Sequence, residues 1–214
     1  MYRSLDFKRF TKDLNSLLSE SLPGKEAQAI MAPRPIDERR FKEDPKNPAK
    51  LGGVMVLLYQ DGTDIRIPLM KRPTYNGAHS GQVSLPGGKL EDGDVNLTVT
   101  ALRETEEEIG IARDRIEVLG NLSEMFIIAS NFKVFPTVGV IHEAPQFVPD
   151  SKEVERIYTP SIDELMNLSK RKVKTMHFPP YTIQSPYFDV EGEVVWGATA
   201  MILGEFLEVI KKLK

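Results

Sequence analysis

Seven consecutive residues, "GVMVLLY" at 53–59, carry no charged side chain. A run this short, rich in β-branched and large apolar residues, reads as a strand buried in a core. Such a strand needs layers to cover it, and the rest of the chain offers both strands and helices. "DIRIPLMKR" (64–72) alternates and is expected to pair with it, with Pro68 marking an edge or a bulge. "IEVLGNL" (116–122) and "FKVFPTVGVIH" (132–142) are further strands, and "YFDVEGEVVW" (187–196) reads as a hairpin turning at Glu191-Gly192. Phe7, Phe10, Leu14, Leu17 and Leu18 recur at helical spacing, so residues 5–20 form an amphipathic helix that Pro23-Gly24 ends. Helices are also expected over 95–109, over 160–168 behind a Ser161/Glu164 capping box, and over 197–213.

The expected fold is therefore α/β (α+β): an α/β/α sandwich with a mixed β-sheet between helices. Residues 1–50, with four prolines from Ala32 onward, are expected to be an N-terminal helix and an extended connector packing on a domain at 51–214. With 214 residues and 41% hydrophobic side chains, a sizeable core is available. A net charge of −3 gives no bulk positive potential for nucleic acid. The absence of cysteine excludes disulfides and thiolate chemistry. Residues 1–10 lack the apolar run of a signal peptide, and the charge-free stretch 194–204 is too short to span a bilayer. The expectation is a cytoplasmic protein, a monomer or homodimer, without a membrane or nucleic-acid partner.

Chemistry concentrates in "LPGGKLEDGDVNLTVTALRETEEEIGI", residues 85–111. On a helix, Glu104, Glu107 and Glu108 stand at i, i+3 and i+4 and share a face, while Leu97, Ala101, Leu102, Thr105 and Ile109 fall opposite. Arg103 lies one turn before Glu107 and can brace it. A run of glutamates alone is most often a solvated acidic face. Here, however, Gly87-Gly88 lies just upstream and admits close backbone approach. Carboxylates converging from one helical turn are suitable ligands for a hard cation such as Mg²⁺ or Mn²⁺, which keeps positions open for water and phosphate. That equipment suits attack on a phosphoanhydride.

The segment resembles a Nudix box, G-x5-E-x7-R-E-U-x-E-E-x-G-U, where U is a bulky aliphatic. Arg103, Glu104, Glu107, Glu108, Gly110 and Ile111 match the second half of the pattern. Thr105 replaces an aliphatic, and Asp94 stands where the first Glu belongs, separated from Arg103 by eight residues rather than seven. Upstream, "PLMKRPTYNGAHSGQVSLPGGK" (68–89) is similar to the signature of the coenzyme A diphosphatase branch, matching at Leu69, Arg72, Gly81, Val83, Pro86, Gly87 and Gly88. Met70, Pro73, Gly77 and Leu85 depart from it, and Gly77 replaces an Arg.

The resemblance implies a metal-dependent diphosphatase acting on a small nucleotide, coenzyme A or an acyl derivative, and releasing 3′,5′-ADP and a 4′-phosphopantetheine species. It implies metal at Glu104, Glu107, Glu108 and the Gly88 carbonyl, with Glu107 or Glu108 also handling water and Arg103 holding Glu107. Arg72, His79, Gln82 and Lys89 are the substrate-contact candidates. Glu153 reads either as a base from a distant loop or as a surface acid, and the surface reading is favoured. The run 170–174 reads as a solvated surface, and Trp196 as a packing residue rather than a platform for adenine. ADP-ribose or another nucleoside diphosphate derivative is the alternative substrate, and a non-catalytic nucleotide-binding regulator the alternative from another class.

Overall fold

The computed structural model describes residues 6–35, 47–74, 80–178 and 180–213. At its centre is strand β1 (Lys50–Asp61), which contains the apolar run. β1 pairs in parallel with β8 (Phe132–Ile141) over ten residues, from Lys50↔Phe132 to Tyr59↔Ile141. All the other pairings in this sheet are antiparallel. β2 (Asp64–Arg66) and β5 (Gly87–Lys89) pair with opposite ends of β1, while β6 (Glu117–Asn121) and β7 (Met125–Ile127) pair with β8. The sheet is mixed, as the interleaving of strands and helices suggested.

The unbroken apolar run is explained by what lies on each side. Val56 and Leu58 join one cluster with Phe10 and Leu14 of α1 (Phe7–Leu18) and Phe206 and Leu207 of α5 (Gly197–Ile210). Met55, Leu57 and Tyr59 point the other way, into a second cluster with Ala101 and Ile109 of α3 (Leu97–Ile109). Alternate residues thus serve opposite faces, and both faces are covered. Each buried Val, Leu, Ile, Met or Phe side chain among these contributes about 1.5–3 kcal/mol of transfer free energy.

Several elements differ from the sequence reading. Pro68 breaks the expected 64–72 strand: β2 stays on β1, while β3 (Leu69–Lys71) leaves for a separate sheet with β4 (Val83–Ser84) and β9 (Arg156–Tyr158). Proline has no N–H to continue the ladder, so the chain changes sheets there. A seven-residue helix, α2 (Gly24–Ile30), follows Pro23 where only a stop was expected. It buries Ala27 and Gln28, and it packs on α5. Seven residues are too few for a helical periodicity to stand out in sequence.

The charged run at 170–174 lies mostly on β10 (Arg171–Phe178), an exposed edge strand beside β11 (Tyr181–Val190) and β12 (Glu193–Trp196). Trp196 is half-buried and stacks on Phe178, ring centroids 5.8 Å apart. The Ser161/Glu164 capping box is formed at the start of α4 (Ile162–Met166). Among the described residues, no helix is long and apolar enough to cross a membrane.

The seating of α3 depends on Gly53 of β1. A Cβ there would lie 2.1 Å from the Leu97 carbonyl oxygen and 2.9 Å from the Ala101 nitrogen. Both are backbone atoms of the helix, which cannot yield as a side-chain tip can. Gly53→Ala is therefore expected to push α3 off the sheet and lower stability by about 1–3 kcal/mol. Urea denaturation checks this; an unchanged midpoint would mean that the helix is not held at this distance.

Candidate active site at the junction of β5 and α3

Helix α3 opens on Asn96, whose side chain accepts from the Val99 N–H, and closes on Gly110 in the left-handed region (φ 73°). Between these caps the acids take three different environments. Glu108 is buried, Glu104 is half-buried, and Glu107 is exposed, its side chain 55% accessible. Helical geometry accounts for the split. From Glu104, Glu108 is displaced about +40° and Glu107 about −60° around the axis, on opposite sides. Thr105, which replaces the expected aliphatic, is buried and donates its hydroxyl to the Ala101 carbonyl, 2.6 Å away.

Gly88 lies against this face. A Cβ on Gly88 would stand 2.3 Å from Glu104 Oε1, so β5 and the Glu104 carboxylate touch only because residue 88 has no side chain. β5 is held in place by its register with β1, in which Gly53 faces Gly88.

Two arginines occupy the cluster. Arg103 donates through Nε and Nη2 to both oxygens of Asp94 (3.1 and 3.0 Å), through Nη1 to Glu104 (2.9 Å) and Glu107 (2.8 Å), and through Nη2 to the Lys89 carbonyl (3.0 Å). Asp94 also accepts from the Glu91 N–H and the Thr100 hydroxyl. The guanidinium and these hydrogen bonds hold its carboxyl down at about 2, and Arg103 is correspondingly raised. Asp94, the departure from the Nudix pattern, is thus the anchor of Arg103. Aspartate in place of glutamate, with shifted spacing, concealed this role in the sequence.

Arg72 serves the second acid. Its Nη2 donates to Glu108 Oε1 at 3.0 Å and to the Gly87 carbonyl at 3.3 Å, and the Gly87 N–H donates to Glu108 Oε2 at 2.8 Å. Burial nonetheless pushes the Glu108 carboxyl up to about 8 against the pull of Arg72 and Gly87. Burial also raises Glu104, with Arg103 opposing. The charges of Glu104 and Glu153 add to the rise at Glu108, and those of Glu107 and Glu153 to the rise at Glu104.

Glu153, favoured in sequence as a surface acid, is exposed but acts on both carboxylates. A strap brings it there. Val148 and Asp150 donate their N–H groups to the Ile109 and Glu108 carbonyls, and Glu155 donates to the Lys71 carbonyl. The strap thereby satisfies carbonyls at the open end of α3. No local pattern in the sequence places Glu153 beside these acids; the chain path does.

Of the remaining candidates, Gln82 accepts from the Arg72 N–H through its backbone carbonyl, and Lys89 is exposed beside the Arg103 fork. His79 lies outside the described residues.

Among the described residues, no three acid or imidazole side chains are gathered as a ready metal cage. The reason is visible in the partners: Glu107 is drawn to Arg103 and Glu108 to Arg72. The donor chemistry still fits a hard divalent cation. The ligands are carboxylate oxygens, they stand close together in a half-buried place, and Arg72 does not offset the burial of Glu108.

A mixed sheet between helical layers, with a glycine strand laid against an acidic helix, defines a loop–helix carboxylate site. Residues 50–177 match the NUDIX domain family. The chain belongs to the Nudix family. Nudix hydrolase 15, mitochondrial, of Arabidopsis thaliana is 33% identical over 183 residues, which are 82% of this chain and 62% of that protein. The chain thus spans about three fifths of that relative's length. Nudix hydrolase 3 of Caenorhabditis elegans is 30% identical over 187 residues, covering 80% of this chain and 77% of the relative. The MutT protein from Methanosarcina mazei Go1 shares the fold, with a TM-score of 0.51 at 16% identity over 79% of this chain and 99% of its own.

Two outcomes are expected. Gly88→Ala should fold, because the atom it meets is the far end of a flexible side chain, yet it should displace Glu104 and weaken Mn²⁺ binding by calorimetry about tenfold or more. Unchanged binding would separate Gly88 from the site. In metal-free protein, Glu108 carries a folded-state value near 8 against the ordinary 4.5, so folding retains a proton between those values and stability must fall as pH rises from about 5 to 8. Mn²⁺ should flatten that decline in thermal melts, and a decline unaffected by metal would count against cation binding at Glu108.

Proposed function

We propose that this chain is a metal-dependent phosphoanhydride hydrolase whose substrate is coenzyme A or an acyl derivative. The observation that carries the reaction is the approach of Gly88 to Glu104 beside a buried Glu108, with Glu153 acting from across the helix end. Glu104, Glu107, Glu108 and the Gly88 carbonyl would hold Mg²⁺ or Mn²⁺. Divalent cations are general to Nudix hydrolases, and when bound such an ion neutralises the diphosphate and activates water.

The chain's own residues do the rest. Arg103, fixed by Asp94, keeps Glu104 and Glu107 facing one place. A carboxylate, Glu107, Glu108 or Glu153, accepts the proton of the attacking water as its oxygen bonds to phosphorus. The bridging P–O bond breaks, and one phosphate leaves with the bridging oxygen. Arg72, Lys89, Gln82 and His79 are assigned to the diphosphate and its flanks; arginine suits that task through its two parallel donors.

The coenzyme A reading is supported by the signature-like stretch 68–89, and products of 3′,5′-ADP and a 4′-phosphopantetheine species follow from it. Retention of Arg103, Glu104, Glu107 and Glu108 favours a hydrolase over a non-catalytic nucleotide-binding regulator. A cytoplasmic location is part of the same proposal.

Incubation with intact coenzyme A and Mg²⁺ or Mn²⁺, followed by mass analysis of the fragments, tests the assignment. Turnover of ADP-ribose alone would replace coenzyme A with that substrate. Glu107→Gln, at an exposed position, should leave the fold intact and lower turnover by about 100-fold or more. Undiminished turnover would remove Glu107 from the mechanism.

A further inference from the structure

We infer that Arg72 is an exchangeable counter-ion: it holds Glu108 while the site is without metal and passes to the substrate's phosphate when a divalent cation takes the carboxylate. The inference rests on the metal-binding reading above and specifies how that site is regulated. Three features of the structure carry it. The same nitrogen, Nη2, bonds Glu108 Oε1 at 3.0 Å and the Gly87 carbonyl at 3.3 Å, so both contacts release in one movement. Glu108 is 1% exposed, so its carboxylate cannot turn to water and must change partner within the protein. Arg72 itself keeps 24% of its side chain exposed, so one side of it remains open for a new partner.

The backbone of Arg72 need not move in the exchange. Its N–H is fixed to the Gln82 carbonyl at 3.0 Å, at the base of the loop leading to Gly87-Gly88. Only the side chain travels, away from the carboxylate that the cation has neutralised and toward phosphate oxygens at the same place. The cation and Arg72 therefore compete for Glu108, and the guanidinium becomes available for substrate only in a metal-loaded site. Arg103 differs: Asp94, 3% exposed, stays with it whatever happens to Glu104 and Glu107. One arginine is a fixed brace and the other a movable one.

Competition has a signature that a purely structural role lacks: removing Arg72 should tighten metal binding. The test is calorimetric titration of the full chain with MnCl₂ in the absence of nucleotide, comparing wild type, Arg72→Gln, Lys71→Gln and Glu104→Gln. Arg72→Gln should bind about tenfold more tightly than wild type, the value of one charge-assisted hydrogen bond no longer displaced. Lys71→Gln removes the same charge one residue away, from a lysine already paired with Glu155 and Glu193, and should change affinity less than about twofold. Glu104→Gln should abolish most of the binding.

Equal or weaker binding by Arg72→Gln, with Glu104→Gln still disruptive, overturns the exchange while leaving the metal site standing. Equal tightening by Lys71→Gln also overturns it, since bulk charge would then suffice. Binding absent from wild type, or untouched by Glu104→Gln, overturns the metal reading and the exchange together. Should Arg72→Gln not fold without metal, the wild-type protein supplies the second measurement. The Arg72 side-chain ¹⁵N resonance should move on saturation with Mg²⁺ and again on adding inorganic pyrophosphate, and a signal unmoved by Mg²⁺ overturns the proposal.

Discussion

Burial of the Glu108 carboxyl beside other acids is the constraint around which the site is arranged. A single exposed pair of like charges on a helix costs only a few tenths of a kcal/mol. The penalty grows once one carboxylate is buried, as Glu108 is, because water no longer screens it. Two arginines, a strand N–H and an aspartate anchor are deployed to contain it. Burial still prevails at Glu108, whose carboxyl is pushed up to about 8, with Glu104 and Glu153 adding smaller contributions. A fold that gathers carboxyl oxygens and buries one of them is suited to receive a cation, which would favour their charged form.

The scaffold converts that charge into a fixed geometry by close backbone approach. Gly53 lets α3 settle on β1, and Gly88 lets β5 settle against Glu104. The same central strand therefore fixes both the helix that carries the acids and the glycine strand that faces them. From the far side, the 148–155 strap caps α3 through the Ile109 and Glu108 carbonyls and brings in Glu153. Packing and chemistry share these contacts, so a change at Gly53 or Gly88 is felt at the carboxylates.

Much of the fold was legible in the sequence because its signals are local. The apolar run at 53–59, the capping box at Ser161 and the helical spacing from Phe7 to Leu18 each declare their element without reference to partners. The split of residues 64–72 between two sheets was less visible, since proline signals an interruption but not where the chain goes next. At the site, helical spacing placed Glu104, Glu107 and Glu108 on successive turns of one helix, but it could not rank their burial. That ranking depends on β5 and on Arg72, which are remote in sequence. Asp94 and Glu153 depend still more on three-dimensional context. One reaches the site through the Arg103 fork and the other through a strap pinned to the end of α3.

The most direct test is anomalous diffraction at the manganese edge from crystals grown with MnCl₂. A peak is expected beside Gly88, within coordination distance of the Glu104 and Glu108 carboxylates, with the Arg72 guanidinium no longer on Glu108. Crystals without such a peak, in which Arg72 still holds Glu108 and Arg103 still holds Glu104 and Glu107, would contradict the claim that these acids exist to bind a cation.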